Sequence, residues 1–327
     1  MIPDHGAPGH ASRKDEHLNL AVHLHDRDRP NAFDDVSFIH HALPGTSVDS
    51  TDPGATVFGA RWEAPFYINA MTGGTRATAE INAGLAGAAA DAGVAIACGS
   101  QHIALRDPGR ADGFRIIRRE APQAFVLANV GPTVTPEDAV RAVEMLEANA
   151  LQIHLNVAQE LVMPEGDRDF RDWPERIAAI VAAVPVPVVA KEVGFGLSRR
   201  AMAMLERAGV AAVDVAGAGG TDFIAIENER RSRRDYSYLT GWGQSAVLCL
   251  LDALWGDEPT GLPVFASGGV RTPLDVVRSL ALGARAVGVS GHFLRTLVKN
   301  GLDGLRRELR TWTDHVRTLM TLLGAAE

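Results

Sequence analysis

The chain has 327 residues, 46% hydrophobic and 22% charged, enough apolar material for one large α/β domain or two ordinary ones. Its formal net charge of −8 argues against nucleic acid or an anionic membrane as the main partner, while leaving room for a local basic site for a small anion. The two cysteines, Cys98 and Cys249, form no CxxC pair and fall in apolar segments, so they read as buried, inert thiols and support neither a disulfide framework nor a zinc site.

Residues 1–12 are rich in Gly, Pro and His without periodicity and read as a disordered tail. No leader pattern opens the chain and no apolar run reaches the length of a membrane span, which predicts a cytoplasmic protein without membrane contact. Seven of the eleven histidines precede residue 42, but their irregular spacing suits a solvated surface better than a metal site. On a helix Arg13 and His17 share a face with Lys14 at its flank, either as a charged surface or as an anion clamp. Residues 33–62 read as loops and short strands ending in a hairpin at TVFGARWEA. Residues 13–64 are thus expected to clamp substrate and cap one end of the domain that follows.

A regular rhythm starts at residue 65. Apolar or β-branched runs occur at 66–71, 94–99, 125–130, 151–155, 187–192, 211–216, 263–267 and 286–290. Helical patterns lie between them at 78–92, 111–120, 136–149, 173–183, 198–208, 244–255 and 273–282, and a last long one runs from about residue 292. Thr135-Pro136 and Thr272-Pro273 are helix starts, and Gly93, Gly209 and Gly283 stand where left-handed residues end helices. Eight strand–helix units predict an α/β chain folded as a (β/α)8 TIM barrel over 65–327, with an N-terminal extension and a C-terminal helix. The competing doubly wound sheet lacks its fingerprint, since GFGLSR and GAGGTD both lack the third glycine at its spacing.

Such a barrel carries its active site at the C-terminal ends of its strands. Those ends hold Asn69-Ala-Met-Thr-Gly-Gly, Gly99-Ser-Gln-His, Asn129, His154 to Glu160, Lys191-Glu192, Gly217 to Thr221, Ser267 to Arg271 and Ser290-Gly-His. The strand bodies are apolar and the ends polar or glycine-rich, as one elongated polar ligand across the mouth would require. ASGGVR and VSGHFL follow strands 7 and 8, where barrels hold a phosphate on main-chain N–H groups, with Arg271 adding charge. Lys191 inside the barrel calls for a negative group, which an anionic reduced flavin would supply. At HLNVAQE, four polar groups arrive together where strand 4 ends, with Gln159 and Glu160 on the loop beyond it.

RKDEH, INAMTGG, GSQ, ANVG, HLNVAQE, KEVGFG, GAGGTDF, GWG, ASGGVR and VSGHFL occur in order across residues 13–294. In this the chain resembles the type 2 isopentenyl-diphosphate isomerases, FMN-dependent (β/α)8 enzymes. The resemblance implies interconversion of isopentenyl and dimethylallyl diphosphate with reduced FMN and Mg2+, without net redox, NADPH serving to reduce the flavin. It implies that Ala70, Met71, Thr72, Ser100, Asn129, Lys191, Thr221, Gly269, Arg271, Ser290 and Gly291 hold FMN. Arg13, Lys14 and His17 would bind the diphosphate, with Ser100, Gln101, His102 and Asn156 as further substrate contacts. Gln159 would face the allylic carbons and Glu160 would bind Mg2+. His102 stands where the family has Arg, which removes a bidentate donor. His154 either transfers a proton or is bonded to flavin or substrate. A homo-oligomer, tetramer or octamer, is expected.

Two other readings compete. An FMN-dependent barrel oxidoreductase of the hydroxy-acid or nucleotide class needs a His–Arg pair or catalytic Cys that the chain does not offer. An inactive flavin-binding barrel would have no need of Gln159 and Glu160. The arginine-rich segment at 217–242 is too long for a turn and reads as a lid or as a solvated, subunit-contacting face.

Overall fold

In the computed structural model the described residues are 31–70, 73–255 and 258–327. The expected tail, the Arg13, Lys14 and His17 group, and Met71 and Thr72 lie outside them. A hairpin comes first, β1 (Ala55–Val57) and β2 (Ala60–Trp62), turned at Phe58 and Gly59, both with positive φ. Eight parallel strands then close a barrel. They are β3 (Phe66–Ile68), β4 (Ala95–Ala97), β5 (Val126–Val130), β6 (Ala150–Leu155), β7 (Val188–Glu192), β8 (Ala212–Asp214), β9 (Val264–Ser267) and β10 (Ala286–Val289). Each lies within one of the eight runs expected from the sequence, give or take a residue.

The helices are α1 (Arg76–Ala92), α2 (His102–Arg106), α3 (Asp112–Glu120), α4 (Pro136–Leu146), α5 (Val157–Val162), α6 (Trp173–Ala183), α7 (Arg199–Arg207), α8 (Phe223–Arg230), α9 (Ala246–Leu254), α10 (Pro273–Ala281) and α11 (Gly291–Leu322). The last is interrupted at Gly301, whose φ of 68° is not helical. Thr135 and Thr272 cap α4 and α10 through their side chains, each ahead of a proline, as their spacing predicts. Three short helices were not legible: α2, α5 and α8 carry too few turns for a 3.6-residue period to register.

Strand residues alternate between two apolar layers. Ile68, Ile96, Ala128, Ile153, Ala190, Val213, Ala266 and Val287 pack outward against the helices. Tyr67, Ala95, Leu127, Ala150, Val189, Ala212, Phe265 and Ala286 fill the lower interior together with Val57 and Trp62 of the hairpin. Trp62 lies 5.3 Å from Phe125 and 5.7 Å from Tyr67, ring centre to ring centre, and Phe58 lies 6.0 Å from Phe265. The hairpin therefore stoppers the barrel at the start of its strands and leaves the opposite end for chemistry. Leu151, Ile153 and Leu155 do not mark one buried face with a solvated one, as their alternation suggests. Both faces of β6 are covered, because a barrel strand has helices on one side and the interior on the other.

Candidate active site

Towards the strand ends the interior turns polar. His154, Lys191 and Asp214 stand side by side in register on β6, β7 and β8. His154 Nδ1 meets Asn129 Oδ1 of β5 at 2.8 Å. Lys191 is buried, donates its Nζ to the carbonyl of Glu192 at 2.7 Å, and makes no ion pair among the described residues. A buried ammonium held by one carbonyl has charge to spare for an anionic ligand. Glu192, the next residue, points outward. Its carboxylate accepts the N–H groups of Val193, Gly194 and Phe195 at 2.6–2.8 Å and fixes the turn above β7. Burial pushes this carboxyl up to about 7, against the pull of those three donors.

HLNVAQE does not run into a loop. Asn156 ends the strand and starts α5, which carries both Gln159 and Glu160. Asn156 Nδ2 donates to Glu160 Oε1 at 2.7 Å and lies 3.4 Å from Gln159 Oε1. The amide of Gln159 donates in turn to Glu227 Oε1 at 2.8 Å. Glu227 is wholly buried on α8 and paired with Arg230, which also reaches Glu165 at 3.2 Å. The other oxygen of Glu160 accepts the N–H of Asp167 at 2.8 Å. Arg168 makes that contact possible by donating to the main-chain oxygens of Glu160, Met163, Gly166 and Asp167, which folds the loop back.

These contacts revise the reading of 217–242. Arg230 and Arg231 turn inward, whereas Arg233 and Arg234 are exposed as the solvated reading expects. Arg230 neutralises Glu227, while Arg231 binds the carbonyl of Val162 and stacks on Tyr236. Val162, Phe195 and Ile224 form a small core beneath the segment, with Tyr236 and Leu239 against it. Glu227 was missed because one acid in an arginine-rich run looks solvated. The only hint in the sequence is the apolar Phe-Ile-Ala-Ile stretch just before it.

Across the mouth lie the glycine turns. Gly268 has φ +90°, and a Cβ there would fall 1.9 Å from the carbonyl oxygen of Gly217, so the turns after β8 and β9 touch main chain to main chain. Gly269 is covered from the N-terminal segment, where Asn31 Nδ2 donates to its carbonyl at 2.6 Å. Arg271 is already engaged by Asp34 and by Asp275. Ser290 and Gly291 open α11, and nothing lies within 4 Å of a Cβ placed on Gly291. Ala70, Ser100 and Thr221 are half-buried at the ends of β3, β4 and β8. His102 begins α2. Gln101 departs from expectation. Its side chain is fully buried, accepts the N–H of Asn129 at 2.9 Å and donates to the carbonyl of Ala142 at 2.9 Å, so it braces the turn instead of facing the mouth.

Contiguous glycine backbone, the open start of α11 and a buried lysine make a fitting cradle for a flat, phosphate-bearing cofactor. The fold is a (β/α)8 barrel with a glycine-rich mouth, and the sequence profile of the FMN-dependent dehydrogenases, which matches residues 126–327, puts it in the flavin class. A solved structure of mandelate oxidase shares the fold, with a TM-score of 0.64 over 95% of this chain and 86% of its own, at 20% identity. Much nearer are the isopentenyl-diphosphate delta-isomerases of Nocardia farcinica, 53% identical over 97% of this chain and 87% of that one, and of Streptomyces sp. (strain CL190), 54% identical over 96% and 86%. That of Latilactobacillus sakei is 47% identical over 96% and 89%. The chain belongs to the FMN-dependent isopentenyl-diphosphate delta-isomerase family.

Proposed function

We propose that the protein interconverts isopentenyl and dimethylallyl diphosphate by adding a proton at one alkene carbon and removing one from the allylic position. The observation that carries the reading is the joint placement of Gln159 and Glu160 on α5, with Asn156 bridging them and Glu227 fixing the amide. FMN suits the cradle of glycine turns and Lys191. When bound and reduced, with NADPH as electron source, it supplies an electron-rich ring that stabilises positive charge and carries protons.

The protein's own groups divide the remaining work. Glu160 belongs to no group of three or more His, Cys, Asp or Glu that could hold a metal among the described residues. That suits Mg2+, which takes one or two carboxylates and completes its shell with water and substrate phosphate. Glu227 is unsuited to the same ion because Arg230 already balances it. Gln159 orients the carbon skeleton and relays a proton, since a neutral amide is no general acid at ordinary pH. His154, held by Asn129, is the more basic group next to Lys191. Arg13, Lys14 and His17 are proposed to hold the diphosphate, and His102 to serve as a weaker donor beside it.

Anaerobic incubation with FMN, NADPH, Mg2+ and isopentenyl diphosphate tests the reading. The dimethylallyl isomer is expected, and its absence with the flavin bound and reduced sinks the proposal. The oxidoreductase alternative has in its favour the fold and the match to the FMN-dependent dehydrogenases, at a lower level of likeness than the isomerases. Both cysteines are buried, and burial pushes the Cys249 thiol up to about 12, out of range for a nucleophile.

A further inference from the structure

One carboxylate within the barrel ties the cofactor turns together. Asp214 ends β8 and has no exposure to solvent. Its Oδ2 accepts the hydroxyl of Tyr67 at 2.8 Å and the amide of Asn69 at 3.0 Å. Its Oδ1 accepts the hydroxyl of Ser267 at 2.6 Å and the N–H of Ala216 at 3.0 Å. Together these contacts tie down three turns at the mouth, those after β3, β8 and β9. Asn69 passes the constraint on through its own Oδ1, which takes the N–H of Ala70 at 2.8 Å where the turn after β3 begins. Ala216 has φ +36°, an unfavourable value for a residue with a Cβ, and its bond to Asp214 helps hold it there. Ser267 immediately precedes Gly268, and its carbonyl accepts the N–H of Gly217 at 2.9 Å.

We infer that Asp214 is a positioning residue of the flavin site, holding Ala70 at the start of the turn after β3, assigned to the flavin ring, and the touching turns after β8 and β9, the latter the expected phosphate turn, in one geometry. The inference rests on the FMN reading above. The carboxylate chemistry is specific. Asp214 accepts four donors, and the main-chain N–H of Ala216 cannot reverse its role as a hydroxyl can. An asparagine has one acceptor oxygen and turns an NH2 toward donors, so at least one strand end loses its anchor. Gln152 joins this group through its amide nitrogen, at 3.5 Å from Tyr67 Oη and 3.4 Å from Asn69 Oδ1, and its carbonyl oxygen has no donor among the described residues.

The test is a titration of the flavin-stripped full-length chain with FMN and with riboflavin, followed by flavin fluorescence well below the melting temperature. Asp214→Asn is expected to weaken both ligands, FMN by roughly tenfold or more. Ser267→Ala touches only the phosphate-side arm. It is expected to weaken FMN by about fivefold while leaving riboflavin, which has no phosphate, within about twofold of the wild type. A merely structural role would lower the melting temperature of both variants without separating the two ligands. Unchanged FMN affinity in folded Ser267→Ala, or equal losses for FMN and riboflavin in it, overturns the inference, even where Asp214→Asn does not fold. Wild-type protein that fails to bind FMN brings down the flavin reading and this inference with it, whereas wild-type binding with unaffected variants brings down this inference alone.

Discussion

A neutral amide such as Gln159 can point either its oxygen or its nitrogen at a substrate, and the two arrangements differ only by a flip. Its neighbours decide between them. The buried carboxylate of Glu227 accepts only, so the NH2 is drawn to it and the oxygen is left on the side of Asn156. Glu227→Gln removes that choice and takes the nearer of two carboxylates from Arg230, which keeps its pair with Glu165. It is expected to lower kcat/KM by on the order of tenfold to a hundredfold at wild-type flavin content, as a misplaced group does. Steady-state kinetics on the isomerisation checks this, and wild-type kcat/KM would show that the amide is set by something else. Glu192 makes a second prediction, about pH. Its folded pKa, about 7, lies above the ordinary 4.5, so between those values the folded protein keeps a proton that the unfolded chain has lost. Stability conferred by that proton is present below pH 4.5 and drains away as pH rises to about 7, by at most roughly 3 kcal/mol. Glu192→Gln has no such proton. The wild type should therefore lose stability relative to the variant between pH 4.5 and 7.5 in urea titrations, and parallel curves would contradict the assignment.

At the scale of elements, the strand ends and the hairpin make separable contributions. Gly268→Ala must hold φ near +90° and pushes a methyl group into the Gly217 carbonyl. Flavin affinity should drop by roughly tenfold or more, about 1.4 kcal/mol, in fluorescence titrations. Trp62→Ala instead opens a void among Tyr67, Phe125 and their neighbours at the closed end. It is expected to cost about 3–5 kcal/mol in chemical denaturation while leaving FMN affinity intact. The two results should not trade places. Much of this was legible beforehand, because the strands announce themselves as apolar runs at even spacing and their ends as polar clusters. The short helix that carries Gln159 and Glu160 was not, since six residues of α5 are fewer than two turns. The polar groups inside the strands were hidden for a different reason. Tyr67, Gln152 and Asp214 each look like a lone interruption in an apolar run, and only closure of the barrel brings them to one another.

For the molecule as a whole, topology was readable from order and spacing and the family from the resemblance of its motifs, whereas the contacts that tune the site come from distant parts of the chain. Asn31 and Asp34, for example, reach Gly269 and Arg271 across more than two hundred residues. No periodicity reports such a pairing. A cofactor that touches several strand ends should also stabilise the fold that presents them. With FMN at about 100 times its Kd the protein is expected to gain roughly 2.7 kcal/mol over the flavin-free form. An unchanged denaturation midpoint would mean that the flavin binds the unfolded chain equally well or not at all. The hairpin has a consequence for traffic. With the rings of Phe58, Trp62, Phe125 and Phe265 packed across the base, the barrel is closed there and its polar rim lies at the opposite end. Substrate, product and any proton exchanged with bulk water must use that same rim, so a molecule seated there also acts as the cork. Isotope from heavy water should then reach the bound skeleton only as fast as the occupant lets solvent past, which makes the exchange rate a clock for how tightly the mouth is closed.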